Sequence, residues 1–223
     1  MAHDNDRPGP ARAGATASAY DHSLSPEGNA TGWPRDERWS GDVDDLVLTA
    51  DEVWANYKYF LDAILPVADE VDMKLAQHPD DPPVQQVDGF ARVFTSPDAY
   101  RHAMELAKGS PAWGIDLCLG TVSAMKGERS VHDMIDQFGP LGKIRYVHFR
   151  DVQGTVPSFI ECFLGEGNYN PQEVIKRLVS VGFDGWLQDD HVPHMIDDTA
   201  YGHRARAYEI GFMQGVLSTI GRP

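Results

Sequence analysis

Four places in this sequence set a metal-binding side chain at the end of an apolar run. They are His78 in His78-Pro-Asp-Asp-Pro-Pro83, Cys118 in Asp116-Leu-Cys-Leu-Gly120, His148 in Val147-His-Phe-Arg-Asp151, and Asp190 in the pair Asp190-His191. Neutral imidazole, thiolate and carboxylate together suit a first-row divalent ion, without choosing between manganese, iron and zinc. Taken singly, each residue has an ordinary reading. A histidine at a strand end usually packs, a lone cysteine is a small buried hydrophobe, and Asp80-Asp81 before Pro82 makes a turn. The spacing argues otherwise, because the candidates recur every 30 to 42 residues, close to the roughly thirty residues of one βα unit. One ion on four protein ligands would keep positions open for a chelating substrate. Arg150, just past His148, offers a bidentate fork for a carboxylate beside such an ion.

The elements that must position these groups alternate. Thr49-Ala-Asp-Glu52 is a capping box opening a helix that Pro66 kinks or ends. A strand follows at Met73–Ala76. Ser96-Pro97 opens a second helix, which runs to Lys108 and stops at Gly109. Then come a strand at Trp113–Leu119, a helix at Ser130–Phe138 and a strand at Lys143–Phe149. Arg150–Tyr169 reads as a long loop, Asn170-Pro171-Gln-Glu173 caps a helix ending at Gly182, Gly185–Gln188 is a strand, and Tyr201–Ile220 is the last helix. Within the loop, Cys162 reads as structural and Gly165-Glu-Gly167 as a turn. This order predicts an α/β protein with a parallel sheet and outer helices. With no GxGxxG or Walker-type loop, a barrel is favoured over a doubly wound sheet. Residues 1–45 read as mostly irregular with a short strand at Ala15–Tyr20, and residues 46–223 as the metal-binding part of the barrel. Each ligand candidate then falls at the carboxyl end of a strand, where barrel active sites lie.

Composition narrows the class. A net charge of −15 argues against a nucleic-acid partner, and no apolar run is long enough for a membrane span. The first residues lack the apolar core of a secretory signal, and the chain has 2 cysteines, which predicts a cytoplasmic protein without a disulfide.

The same segments resemble the mannonate dehydratase family, a branch of the xylose-isomerase-like TIM barrels. To those above add Phe159-Ile-Glu161, Val181-Gly-Phe-Asp-Gly185 and Tyr201-Gly202. The resemblance implies that His78, Cys118, His148 and Asp190 bind one divalent metal ion, Mn2+ or Fe2+. It implies that His191 is the acid/base group, that Arg150, Asp80 and Glu161 contact substrate, and that Tyr201 closes over it. The implied reaction is metal-dependent dehydration of a sugar acid, D-mannonate to 2-keto-3-deoxy-D-gluconate, in glucuronate catabolism. The alternatives are a sugar isomerase or epimerase of the same superfold, or a truncated non-catalytic metal-binding fragment. Family members supply their first strands upstream, so this chain is expected to be an incomplete barrel of four to five βα units. Such a barrel exposes two sheet edges and part of its apolar interior, and is expected either to aggregate or to pair with another copy as a homo-oligomer. The Asp-His pair also reads Asp189-Asp190-His191-Val192 here, without the proline before it and glycine after it that the family usually has.

Overall fold

The computed structural model describes residues 15–16, 19–21, 47–87, 89–199 and 201–220. The expectation for residues 1–45 lies outside these, apart from two short strands, β1 (Ala15–Thr16) and β2 (Ala19–Asp21). Helix α1 (Ala50–Glu70) starts at the expected capping box, with Glu52 N donating to Thr49 Oγ1 at 3.3 Å and Thr49 N donating to Glu52 Oε2 at 2.9 Å. It does not end at Pro66 but runs through it to Glu70. Leu61, Leu65 and Ala68 are buried along one stripe. That burial offsets the roughly 3 kcal/mol a proline costs within a helix, since each buried leucine contributes on the order of 2 kcal/mol.

Strand β3 (Leu75–Gln77) follows, then a small hairpin of β4 (Gln86–Val87) and β5 (Phe90–Ala91), and helix α2 (Pro97–Leu106) capped by Ser96. Strand β6 (Trp113–Cys118) leads without a break into α3 (Leu119–Lys126), which the sequence reading did not foresee, and then into α4 (Glu128–Phe138). Strand β7 (Ile144–Phe149) is followed by an antiparallel hairpin, β8 (Asp151–Thr155) and β9 (Ser158–Cys162), where a loop was expected. Helix α5 (Pro171–Ser180) is capped by Asn170, whose side chain accepts from Gln172 N and Glu173 N. Strand β10 (Trp186–Asp189), strand β11 (His194–Met195) and helix α6 (His203–Ile220) are the last described elements.

Strands β3, β6, β7 and β10 form one parallel sheet in chain order, joined by helical crossovers. This is a run of (β/α) barrel units. β3 and β10 are the edges of the sheet among the described residues, and Trp186 on β10 is exposed. The core lies between sheet and helices, around Trp113, Ile115, Leu117, Val147 and Phe149. Trp113 satisfies its indole N–H by donating to Tyr57 Oη at 2.8 Å, which ties α1 to β6.

Helix α6 buries Ala205, Glu209 and Met213 at four-residue spacing. Both carboxyl oxygens of Glu209 are buried without a hydrogen-bond partner among the described residues. Burial first, then the nearby Glu161 and Asp189 charges, raises its pKa from 4.5 to about 9. Between those values the folded chain keeps a proton that the unfolded chain releases, so this group makes stability fall as pH rises from about 4.5 to about 9. Glu209→Gln is neutral at every pH and removes that slope. In thermal melts its midpoint should match the wild type near pH 5 and exceed it by roughly 3–8 °C near pH 8, for a gain on the order of 1–3 kcal/mol. Equal midpoints across that range would show that the carboxyl is not held neutral.

Candidate metal centre

The sheet register brings the ligand candidates together. Cys118 pairs with His148 across β6 and β7, and His148 pairs with Gln188 across β7 and β10. His78 immediately follows β3, and Asp190 immediately follows β10. All four therefore stand at the carboxyl edge of successive parallel strands. Their ligand atoms lie within 4.8 Å of one another. Cys118 Sγ is 3.6 Å from Asp190 Oδ2, and His148 Nδ1 is 3.7 Å from the same oxygen. The His78 and His148 rings are 5.2 Å apart.

The electrostatics are those of a site built for a cation. Burial pushes the Cys118 thiol up, but the His148 and His78 rings and the Arg150 charge outweigh it and bring its pKa down to about 7. Burial favours a neutral His78, yet the Cys118 sulfur, Asp116 and the Pro79 carbonyl together raise that ring to about 9. His148 is raised by the neighbouring Cys118 sulfur and by the Asp190 and Asp116 charges, against burial. Protons on these rings are what a divalent ion would displace. The donor set fits such an ion, and His148 Nδ1 is buried without a hydrogen-bond partner among the described residues, as a ligand atom awaiting a metal would be.

Beside the cluster lies a buried ion network. Arg150 is 2% exposed. Its Nε donates to Glu161 Oε2 at 2.9 Å and its Nη2 to Glu161 Oε1, while Nη1 donates to Asp81 and, at 3.1 Å, to Thr121 Oγ1. Thr121 in turn donates to Cys118 Sγ at 3.1 Å. Gly120 makes room for this, since a Cβ there would stand 2.7 Å from Arg150 Cγ. Burial works against the guanidinium's charge, but Asp81 and Glu161 hold it firmly protonated. His191 joins the network through Nδ1, 3.3 Å from Glu161 Oε1.

The three expected substrate contacts, Arg150, Glu161 and Asp80, all have partners within the chain. Every guanidinium nitrogen of Arg150 donates to a protein group. Glu161 is buried, with its oxygens engaged by Arg150 and His191. Asp80 turns away and accepts from Arg92 Nη1 at 3.2 Å, Val93 N at 2.9 Å and Phe94 N at 2.8 Å. Its neighbour Asp81, which sequence reasoning passed over, faces Arg150. The Asp-Asp-Pro signal could have offered either residue, because adjacent side chains in an extended segment point to opposite sides. Tyr201 is 63% exposed, with Arg206 Cζ 4.3 Å from its ring centroid. Arg206 Nη1 donates to Asp189 at 2.6 Å, which links Tyr201 to the strand end that carries Asp190.

The hairpin and the following turn brace Arg150. Asp151 accepts from the backbone N–H groups of Val152, Gly165, Gly167 and Asn168 at 3.0–3.2 Å. Gly165-Glu-Gly167 is indeed a turn, and its backbone donors enclose an internal carboxylate. Only glycine fits at 167, where a Cβ would lie 2.2 Å from Asp151 Oδ1. Tyr169, carried by the same turn, donates its hydroxyl to the Arg150 carbonyl at 2.7 Å.

The chain is similar to known proteins along most of its described length. The chain is 32% identical over 178 residues to mannonate dehydratase of Thermotoga neapolitana, covering 77% of this chain and 49% of that protein. Against mannonate dehydratase 2 of Halalkalibacterium halodurans it is 33% identical over 179 residues, covering 78% of this chain and 51% of that protein. It thus spans about half the length of these curated relatives. The crystal structure of mannonate dehydratase from Streptococcus suis serotype 2 superposes with a TM-score of 0.75 at 26% identity, covering 96% of this chain and 62% of that one. A xylose isomerase domain protein from Planctomyces limnophilus, at 15% identity and a TM-score of 0.56 over 78% of this chain and 58% of that one, shares the fold. The family model for D-mannonate dehydratase (UxuA) matches residues 44–222, and the chain belongs to that family.

Proposed function

We propose that this chain carries the metal-binding part of a hydro-lyase that dehydrates a sugar acid, D-mannonate, to 2-keto-3-deoxy-D-gluconate and water, in the cytoplasmic breakdown of glucuronate. The observation that supports this most is the convergence of four ligand atoms within 4.8 Å at the ends of successive strands, in a chain of this family. His78, Cys118, His148 and Asp190 would hold one divalent ion, Mn2+ or Fe2+ in our reading. That ion would supply Lewis-acid stabilisation for the negative charge that builds on a substrate carboxylate when the adjacent carbon loses its proton.

The chain's own residues account for the rest. His191 is more exposed than the ligands, with its side chain 57% accessible, so substrate can reach it. The Glu161 hydrogen bond raises its pKa against the effect of burial. A ring whose affinity for a proton is raised in this way suits taking the proton from carbon 2 and passing it to the departing carbon-3 hydroxyl, which leaves as water, so that the ring ends as it began. Glu161 also fixes the ring's orientation through Nδ1, leaving Nε2 to act. Arg150 holds Glu161 and Asp81 in place and favours the Cys118 thiolate. Tyr201, on the rim, would close over bound substrate and exclude water.

The test is direct. Purified chain stripped with a chelator and reloaded with Mn2+ should regain formation of a 2-keto-3-deoxy product from D-mannonate, from a stripped background at least 100-fold lower. Turnover on ketohexoses but not on mannonate would replace this reading with an isomerase. Metal retained with no turnover on either substrate would leave only a binding role.

A further inference from the structure

One acidic side chain beside the cluster has no part in the ligand set. Asp116 lies on β6 two residues before Cys118, on the same face of the strand. Its Oδ2 stands 3.6 Å from His148 Nε2. Its Oδ1 is buried with no hydrogen-bond partner among the described residues. On the other side of the ring, His148 Nδ1 is likewise buried and unpartnered, 3.7 Å from Asp190 Oδ2. Tyr146 holds the ring edge-on at 5.3 Å between centroids, so the plane is also constrained. His78 presents the opposite arrangement, with Nδ1 against the Pro79 carbonyl oxygen at 2.6 Å.

A histidine has one proton to place when neutral, and the acceptor beside one nitrogen decides which nitrogen remains a donor to metal. We infer that Asp116 is a positioning residue of the metal centre, keeping His148 in the Nε2–H form so that Nδ1 faces the ion, while the Pro79 carbonyl makes His78 bind through Nε2. This rests on the metal-centre reading above. It explains why the fold keeps a half-satisfied carboxylate inside the barrel. Such a group costs stability by itself and is recovered only when the ring it orients is used. A purely structural acid would show one sign throughout. Here the signs oppose: asparagine should leave the metal-free fold as stable or more so, and weaken the metal.

The experiment uses the purified full chain with Zn2+ as probe, in competition with a chromophoric chelator. Asp116→Asn and Asp116→Ala should bind Zn2+ roughly 10–100-fold more weakly, while the metal-free thermal midpoint of Asp116→Asn does not fall. In the wild type, nitrogen-coupled NMR of the Zn2+-loaded chain should find His148 protonated at Nε2 and His78 at Nδ1, a measurement that needs no variant to fold. Unchanged Zn2+ affinity in both variants, or His148 protonated at Nδ1, would overturn the role given to Asp116. A wild-type chain that takes up no Zn2+ would instead remove the metal centre itself.

Discussion

Replacing His191 by alanine is expected to cut dehydration turnover by roughly 10²–10⁴-fold, the usual share of a general acid or base, with the metal content of the chain unchanged. That loss corresponds to about 3–5.5 kcal/mol of transition-state stabilisation. The separation of the two readouts follows from geometry. His191 meets the network at Glu161 Oε1, 3.3 Å from its Nδ1, and its Nε2 is 3.9 Å from Asp190 Oδ1. It supplies none of the four ligand atoms. Removing the ring takes away a proton donor and leaves the ion's own donors in place. Cys118→Ala is the contrasting case, since it deletes a ligand and should lose metal and turnover together. Turnover within a factor of a few of wild type in His191→Ala would exclude this residue from the chemistry.

The largest stability effect should come from Arg150. Its guanidinium is fully enclosed between Glu161, Asp81 and Thr121. Arg150→Met keeps much of the volume but strands two carboxylates that the arginine had neutralised. Breaking a buried pair in this way costs on the order of 3–5 kcal/mol, a large part of the stability of a typical domain. In urea unfolding the variant should show a midpoint far below wild type, or no cooperative transition. Arg150→Lys keeps the charge but not the fork that spans Glu161 Oε1 and Oε2, so it should recover only part of the loss. A midpoint for Arg150→Met equal to wild type would mean that the network is open to water and carries little energy.

The parts of this protein that could be read from its residues are those set by local chemistry. Thr49, Ser96 and Asn170 mark helix starts because a short polar side chain meets the free N–H groups of a first turn. Strand β6 shows as a largely apolar run because both of its faces are covered. The four ligand candidates were legible because a βα repeat returns the chain to the same edge once per unit, so that recurrence along the sequence becomes proximity in space.

What was not legible depended on burial. Helix α3 has no polar face, since Leu119 to Met125 are all buried, and a helix covered on every side leaves no periodic signal. The β8–β9 hairpin is stitched to that helix, with Val156 N donating to Ala124 O at 2.9 Å, and it delivers Glu161 to Arg150. Proline 66 stays inside α1 because the stripe it interrupts is anchored in the core. The facing of Asp81 rather than Asp80 toward Arg150, the burial of Arg150 against Glu161, and the approach of Asp116 to His148 each turn on which way a side chain faces once strands are in register. Residue type and spacing along the chain specify which groups can bind a cation or carry a proton. Orientation and desolvation, which exist only in the folded chain, decide which of those groups remain free to do so.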